Sequence, residues 1–249
     1  MDRELEGRVA LVTGAWRGIG RATARALIGR GARVAVNVRD RERAEQAARE
    51  LGDGALPAPG DVSRAEDVSR MVGDTLTRFG RLDILVNNAA HATGTPLLEL
   101  EEAEWRRAFD VNVTGAFLCL KAVLPAMQAA HYGRIINISS TAGKTVSTLA
   151  GPHYTASKHA LLGLTRSAAR DLGPLGITVN AVCPGMTDTE LIHEVADQDL
   201  VRQILATRVP IRRMGTPEEV ADLVCYLASE RSGYINGASL DINGGILLV

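Results

Sequence analysis

Tyr154 and Lys158 are four residues apart in the segment Tyr-Thr-Ala-Ser-Lys. At that spacing both side chains lie on one face of a helix, one turn from each other. A free tyrosine has a pKa of ~10 and is a poor proton donor or acceptor at neutral pH, whereas a neighbouring ammonium favours the phenolate and lowers that pKa. Bringing the pKa to ~7 takes roughly 4 kcal/mol of differential stabilisation. The pair therefore predicts a tyrosine that acts as a general acid or base, with Lys158 adjusting its pKa.

A glycine-rich turn between two apolar segments predicts a binding site for phosphate. Residues 8–13 and 33–38 have the apolar, β-branched composition of short buried strands. Between them, Gly14 permits a tight turn, Gly18 lets the backbone approach a pyrophosphate, and Gly20 lets the next helix pack on its strand. This order of elements is typical of a dinucleotide-binding unit, whose helix N-terminus binds the phosphates. The spacing Gly-x-x-x-Gly-x-Gly differs from the common fingerprint, and an ordinary turn is the alternative.

The alternation of strand-like and helical segments predicts the fold class. The strand-like runs lie near residues 8–13, 33–38, 55–59, 82–86, 133–139, 177–183 and 238–242. Helical patterns lie between them, and such alternation predicts a parallel sheet covered on both faces. We therefore expect an α/β fold: a single doubly wound Rossmann domain over residues 1–249, with a seven-stranded parallel sheet and helices on both faces. Thr216-Pro217-Glu218-Glu219 has the residues of a capped helix start.

One long apolar-rich stretch, residues 186–215, lies outside this alternation. It follows the carboxyl end of a predicted strand, where doubly wound folds bind their ligands. The stretch is therefore either a helical lid over a substrate or a packed insertion.

Composition bounds the classes of partner. The formal net charge of −1 and the pI near 6.5 leave no basic footprint for nucleic acid. No apolar run approaches the ~18 residues of a membrane span, and the first residues lack the apolar core of a signal peptide. Three scattered cysteines predict buried thiols in a reducing cytoplasm, and the five histidines show no metal-ligand spacing. We expect a cytoplasmic protein without a metal, and we expect His153 to shape the rim of a pocket.

Further motifs follow in a fixed order along the chain. They are Thr13 to Gly20, Asp61-Val62, Asn87-Asn88-Ala89-Ala90, Asn112 in Val-Asn-Val-Thr-Gly, Ser140, Tyr154 with Lys158, Pro184-Gly185, and Asp241 to Gly245. In this order they resemble the compact members of the short-chain dehydrogenase/reductase family, from about residue 6 to the C-terminus. Ala90 is a mild departure, because the family more often has glycine there.

The resemblance implies a catalytic set of Asn112, Ser140, Tyr154 and Lys158. Ser140 is expected to hold the substrate carbonyl, because its neighbour Ser139 faces the other side of the strand. Tyr154 would donate a proton to the carbonyl oxygen while a nicotinamide delivers hydride to the carbon. Lys158 would also bind the nicotinamide ribose, and Asn112 would anchor a water that links Lys158 to solvent. The implied reaction is the interconversion of a ketone and a secondary alcohol.

The end of the second strand predicts the choice of cofactor. NAD-dependent enzymes usually place a carboxylate there for the ribose 2′-hydroxyl, but this position is Val38 and the next residue is Arg39. Arg39, together with Arg17 in the glycine turn, suits the 2′-phosphate of NADP(H), since arginine binds phosphate bidentately. Asp40 is the competing observation, because its carboxylate would suit NAD. Arg39 would alternatively be a solvated loop cation.

The expected cofactor contacts extend over both halves of the chain. By resemblance, Asp61 contacts the adenine, Val62 lines its pocket, Asn88 lies on the adenosine ribose side, and Thr189 lies near the nicotinamide amide and phosphates. The full predicted set is Gly14, Arg17, Gly18, Ile19, Gly20, Arg39, Asp61, Val62, Asn88, Tyr154, Lys158, Pro184, Gly185, Thr187 and Thr189.

The pattern most resembles 3-oxoacyl thioester reductases of the acyl-carrier-protein type. An acidic carrier protein favours a basic docking patch, yet residues 128–130 and 173–175 contain no basic residue. One extra residue also appears between Ser140 and Tyr154, in a loop expected to line the pocket. A free small-molecule ketone, a sugar or a polyketide-like intermediate is therefore an alternative substrate, and a non-catalytic NADP(H)-binding regulator is an alternative of another class.

The resemblance also implies a homotetramer. Helical stretches near residues 103–129 and 153–171 match those that pair between subunits in the family. The last four residues, 246–249, are all apolar and would otherwise fray into water. Packing of this tail on its own subunit is the alternative.

Overall fold

The computed structural model describes residues 3–195 and 197–248. Its strands form one seven-stranded sheet in which every pairing is parallel. The strands are β1 Val9–Val12, β2 Arg33–Val38, β3 Ala55–Pro59, β4 Ile84–Asn87, β5 Gly133–Ile138, β6 Ile177–Pro184 and β7 Ser239–Ile242. The predicted strands are thereby confirmed, with ends that differ by one or two residues.

Helices connect successive strands. They are α1 Gly18–Gly29, α2 Arg41–Leu51, α3 Ala65–Phe79, α4 Glu102–Phe109, α5 Gly115–Ala130, α6 Pro152–Leu172, α7 Glu190–Val195, α8 Gln198–Thr207 and α9 Pro217–Ala228. A π-helical segment, Asp110–Thr114, joins α4 to α5 without a break. Helices α7 and α8 occupy the stretch between β6 and α9 that the sequence left open as a lid or an insertion.

The strand order is β3-β2-β1-β4-β5-β6-β7. Strand β1 pairs with β2 on one side and with β4 on the other, so successive connections leave β1 in opposite directions. In such sheets a crevice opens outside the carboxyl ends of the strands at the point of reversal. The fold therefore predicts a ligand site beyond Val12 and Asn87.

Apolar layers cover both faces of the sheet. Neighbouring residues of β1 face opposite sides: Val12 packs with Leu27 of α1 and Val224 of α9, whereas Leu11 packs in the layer that contains Val123 of α5. All of these side chains are fully buried. Burial on both faces explains why the strands consist of continuous apolar runs, and it confirms the predicted doubly wound α/β fold.

The continuous helical stretch Glu102–Ala130 is long and apolar enough, by length and composition alone, to cross a membrane. This finding departs from the sequence expectation that no segment approaches that length. Cys119, Val123 and Met127 of this stretch are fully buried in the core layer beneath the sheet. Packing against the sheet accounts for these buried residues, which belong to the 33% of the apolar window that is buried.

Helix α9 begins with the predicted capping box. The Thr216 hydroxyl accepts a hydrogen bond from the backbone N–H of Glu219, whose carboxylate accepts one from the backbone N–H of Thr216. Replacing Thr216 with alanine should lower the free energy of unfolding by about 1 kcal/mol, because an N-cap is lost. Urea unfolding at fixed protein concentration measures this change. Thr207→Ala, at an exposed position of α8, is the matched control, and equal stability of the two variants would contradict the assignment.

Candidate active site

Two adjoining cavities lie at the carboxyl ends of the strands. The first, here called the glycine cleft, has a volume of about 580 Å³ and is bordered by the glycine turn and the end of β2. The second, the tyrosine cavity, has a volume of about 370 Å³ and lies between β5, α6 and the stretch after β6. Ile19, Asn88 and Thr189 line both, so the two cavities are continuous.

The structure brings most of the predicted residues to these walls. The glycine cleft is lined by Gly14, Arg17, Gly18, Ile19, Arg39, Asp61, Val62, Asn88 and Thr189. The tyrosine cavity is lined by Ser140, Tyr154, Lys158, Pro184, Gly185 and Thr187. Gly20 and Asn112 line neither cavity, because each has a packing role behind the wall.

Close contacts in the glycine turn leave no room for a side chain at Gly14 or at Gly20. Gly14 has a φ of +63°, and a Cβ there would lie 2.8 Å from the Cα of Ala89. A Cβ on Gly20 would lie 2.4 Å from the side-chain nitrogen of Asn88. That nitrogen donates to the carbonyls of Thr13 and Gly14, at 2.9 and 3.0 Å. Asn88 thus lines the cleft as expected, but its amide nitrogen holds the turn and is not available to a ribose.

The N-terminus of α1 opens into the glycine cleft without a side-chain cap. Arg17 is the extended N-cap residue and makes no capping hydrogen bond, and the first turn contains no acidic residue. The first N–H groups of a helix have no partner within it and carry partial positive charge. This end of α1, beside backbone whose positive φ favours glycine, fits the pyrophosphate of a dinucleotide.

Two arginines border the cleft where β2 ends. Arg39 and Arg43 both line it, and neither makes a side-chain ion pair with a described residue. The Arg43 guanidinium carbon lies 5.7 Å from the centre of the Trp16 ring. Asp40 lines the cleft too, but its carboxylate accepts from the Arg43 backbone N–H at 2.9 Å and caps α2. The sequence analysis missed Arg43 and Trp16. Arg43 could have been predicted, because it lies one helical turn after Arg39.

Arg17 has a different partner from the one expected. Its guanidinium binds both carboxylate oxygens of Glu194 in α7, one of them at 2.7 Å. The hydrogen bond to Glu194 raises the pKa of Arg17, against the opposing effect of burial. In this structure the Arg17 guanidinium therefore ties the glycine turn to α7, and its contact with a 2′-phosphate stays a prediction.

Asp61 is oriented by its own loop. Its carboxylate accepts hydrogen bonds from the backbone N–H and the hydroxyl of Ser63 at 2.9 and 2.6 Å, and from Arg107 at 3.2 Å. Burial acts to raise the pKa of Asp61, but these hydrogen bonds outweigh burial and the pKa is lowered. Asp61 is thus a fixed carboxylate on the cleft wall. Arg107 lines the cleft as well and was missed by the sequence analysis.

Ser140, Tyr154 and Lys158 meet in the tyrosine cavity. Ser140 lies two residues after the end of β5, whereas Tyr154 and Lys158 lie one turn apart on α6. The Lys158 ammonium donates to the carbonyl of Ile138 at 2.7 Å and lies 5.5 Å from the centre of the Tyr154 ring. Ser139 lines this cavity as well, and its hydroxyl donates to the backbone carbonyl of Lys158 at 3.1 Å.

The pKa values in this cavity differ from the sequence expectation. Burial raises the pKa of Tyr154, and the hydroxyl of Ser140 acts in the opposite direction. Burial also lowers the pKa of Lys158 to about 8, which disfavours its own charged form. In the protein alone the pKa of Tyr154 is therefore raised and not lowered, because desolvation of the phenolate outweighs the effect of Ser140.

Asn112 lies within the π-helical segment behind the cavities. Its carbonyl oxygen accepts from the backbone N–H of His91 at 2.7 Å, and its amide donates to the carbonyl of His91 at 3.0 Å and to the hydroxyl of Ser157 at 2.9 Å. π-Helical turns frequently mark functional sites. Asn112 thus holds the loop of His91 against the helix that carries Tyr154.

His153 does not lie on a pocket rim, contrary to the prediction. The side chain is fully buried, and its Nε2 lies 3.1 Å from the hydroxyl of Thr93 and 3.9 Å from the carboxylate of Glu104. Burial lowers the pKa of His153. Within residues 3–195 and 197–248, no three His, Cys, Asp or Glu side chains are grouped so that they could hold a metal ion.

The two helices in the stretch after β6 make different contacts, and the role of this stretch as a lid stays a prediction. Leu191 and Ile192 of α7 line the tyrosine cavity, whereas Val201 and Ile204 of α8 are buried in packing. Ile246 and Leu247 also line this cavity, while Leu248 is 84% exposed. The apolar tail therefore packs partly on its own subunit, and Val249 lies outside the described residues.

Known proteins are similar to this chain in both sequence and fold. Residues 14–247 match the family model described as enoyl-(acyl carrier protein) reductase. The 3-oxoacyl-acyl-carrier-protein reductase of Vibrio cholerae is 38% identical over 245 residues, which cover 98% of this chain and 99% of that protein.

Two solved structures show the same likeness. A Brucella melitensis structure of a 3-oxoacyl-acyl-carrier-protein reductase with bound NAD is 35% identical, with a TM-score of 0.91, and covers 100% of this chain and 94% of that one. A candidate gluconate dehydrogenase from Agrobacterium tumefaciens is 34% identical, with a TM-score of 0.93, and covers 100% and 99%. With the cleft, the tyrosine cavity and these matches together, the chain is an oxidoreductase that belongs to the short-chain dehydrogenase/reductase family, whose reductases bind a nicotinamide cofactor.

Proposed function

We propose that residues 1–249 form a single NADP(H)-dependent domain that reduces a ketone to a secondary alcohol in the cytoplasm. One observation carries this proposal. Ser140, Tyr154 and Lys158 line a cavity that is continuous with a cleft shaped for a dinucleotide. A carbonyl in that cavity would lie within reach of a proton donor and beside the cofactor.

The roles follow from where each side chain lies. The nicotinamide cofactor supplies the hydride that reaches the carbonyl carbon. The Ser140 hydroxyl holds the carbonyl oxygen, and Tyr154 gives that oxygen its phenolic proton, so the product is a neutral alcohol. The ammonium of Lys158 binds the nicotinamide ribose and stabilises the phenolate that the proton transfer leaves. Asn112 positions α6 through Ser157 and His91.

The preference for NADP(H) rests on the charges at the end of β2. Arg39 and Arg43 offer two guanidiniums beside the expected ribose, and Val38 offers no acceptor to a 2′-hydroxyl. The carboxylate of Asp40, which would suit NAD, caps α2 instead. The Brucella relative has NAD bound, so the cofactor preference of this chain needs its own measurement.

A 3-oxoacyl thioester is the proposed substrate class, supported by the relatives of that name. A free ketone is the second candidate, because residues 128–130 and 173–175 contain no basic residue for an acidic carrier protein. The test compares kcat/KM with NADPH for a 3-oxobutyryl thioester on carrier protein, the same acyl group on N-acetylcysteamine, and free ketones. Turnover of none of these, with NADPH still bound, would favour the non-catalytic regulator.

The proposed homotetramer predicts a measurable mass. Leu98, Trp105 and Phe117 are exposed in and beside the helices expected to pair, with Leu98 99% exposed. Light scattering at micromolar concentration should give about four times the chain mass of 26.5 kDa. Phe117→Glu should lower that mass by charging an apolar contact, whereas Leu200→Glu on α8 should not. A monomeric wild type would contradict the assembly.

A further inference from the structure

The tyrosine cavity has an unusual balance of charge. Its described walls include no aspartate, glutamate or histidine, and the charged residues among them are Lys158 and Arg208. Lys158 is committed to the backbone carbonyl of Ile138 and to the expected ribose. The proposed reduction gives no role to Arg208. A cavity with two cations and no carboxylate attracts an anion.

Arg208 has no partner among the described residues. None of the ion pairs and hydrogen bonds within them involves its side chain, whereas Arg202 pairs with Asp199 and Arg213 pairs with Glu219. These two arginines are close to Arg208 in sequence but do not line the cavity. Arg212 is likewise unpaired among the described residues but does not line the cavity, so Arg208 is distinguished from these arginines by lining the cavity while unpaired.

The backbone of Arg208 is fixed although its side chain is exposed. Its N–H donates to the carbonyl of Ile204 at 2.8 Å, at the C-terminal end of α8. The next residue, Val209, is 4% exposed, and Ile211 donates to the carbonyl of Gly244 at 3.3 Å. Arg208 is therefore presented from a junction that is anchored to the C-terminal tail, and a fixed position lowers the entropic cost of binding an anion.

The rest of the wall determines what kind of anion fits. Leu149, Met186, Ile192 and Leu247 provide apolar surface on the walls that Arg208 shares with the catalytic side chains. A substrate that matches these walls has a ketone at one end, an apolar middle and an anionic group at the other end.

We propose that Arg208 binds an anionic group of the substrate, so that the enzyme favours ketones that carry a carboxylate or a phosphate. This inference rests on the proposed ketone reduction. Two sources supply the same chemistry: a free oxo-carboxylic acid, or the phosphate of a phosphopantetheine arm that carries a thioester. Both are oxyanions that a guanidinium binds bidentately.

Matched substrates measure the contribution of Arg208. Oxo-carboxylic acids of increasing chain length and their methyl esters differ only in the charge at the far end. In the wild type, kcat/KM for the best acid should exceed that for its ester. Arg208→Gln should lower kcat/KM for the acid by about 10-fold to 150-fold, the range of a charge-assisted hydrogen bond, and change the ester by less than about twofold.

Two control variants separate charge from structure. Arg202→Gln removes a neighbouring cation that does not line the cavity, and it should leave the acid-to-ester ratio unchanged. Arg208→Lys keeps the charge but loses the bidentate geometry, so it should restore part of the ratio. An Arg208→Gln variant with the wild-type ratio for every chain length would overturn the proposal for carboxylates.

A second pair of substrates tests whether the phosphate of phosphopantetheine is the anion. A 3-oxobutyryl thioester of phosphopantetheine is compared with the same thioester of pantetheine, which lacks the phosphate. If the phosphate is the anion, Arg208→Gln should reduce kcat/KM for the first substrate only, by the same factor. Loss in neither arm rejects an anion site at Arg208, whichever ketone is reduced.

A binding measurement keeps this test independent of turnover. Levulinate and methyl levulinate are titrated into the protein saturated with NADPH, with nucleotide fluorescence as the readout. The acid should bind more tightly than its ester, and Arg208→Gln should abolish the difference. Selective binding of the acid, without reduction of any ketone, would support the anion site and reject the proposed reaction. Turnover of the ester with no preference for the acid would support the proposed reaction and reject the anion site.

Discussion

Tyr154→Phe should lower kcat by at least about a thousandfold and still bind NADPH. The phenylalanine keeps the ring of Tyr154 against the cavity wall but removes the only group proposed to give the carbonyl oxygen a proton. General acid catalysis contributes about 10²–10⁴ to a rate, and no other proposed donor replaces this one. The measurement is kcat with a good ketone, with NADPH affinity followed separately by fluorescence.

A histidine on the same helix provides the control for Tyr154. His159 is exposed on α6, and its ring pairs with the carbonyl of Thr155. His159→Gln should keep kcat within about threefold of the wild type, since it removes an imidazole that touches neither cavity. Turnover of Tyr154→Phe close to that of His159→Gln would show that Tyr154 is not the proton donor.

The fold was predictable because its signal is local. The central strands β1 and β4 are short runs of mostly apolar residues, and a parallel sheet buried on both faces requires such runs. The capping box at Thr216 is likewise formed within four consecutive residues, so the local sequence is enough to predict it. The glycine turn also needs no distant information, since Gly14 adopts a φ that other residues avoid.

The partners of the site residues were less predictable, because they come from distant segments. Arg17 pairs with Glu194, which is 177 residues away in the chain, and no local sequence pattern predicts that contact. Asn112 pairs with the backbone of His91, which has no sequence signature at all. The pKa of Tyr154 shows the same limit, since helical spacing describes the distance to Lys158 but not the burial of both groups.

Arg39→Ala should weaken NADPH binding by about 10-fold to 150-fold and leave NADH binding almost unchanged. A charge-assisted hydrogen bond contributes about 1.5–3 kcal/mol, which corresponds to that range of affinity. NADH has no 2′-phosphate and gains nothing from this guanidinium. Arg43→Ala should act in the same direction, because Arg43 lines the same end of the cleft. Arg17→Ala should change the ratio less, since Arg17 is bound to Glu194.

The converse substitution adds a carboxylate for the ribose 2′-hydroxyl of NAD. Val38→Asp should favour NADH further, through hydrogen bonds to the ribose and repulsion of the 2′-phosphate. Arg41→Ala, in α2 but outside the cleft, is the matched control and should leave the preference unchanged, because Arg41 lies 3.9 Å from Glu45 and faces solvent. The measurement is the ratio of kcat/KM for NADPH to that for NADH in each variant. A wild-type ratio below one would mean that Asp40, despite capping α2, faces the ribose in place of Arg39.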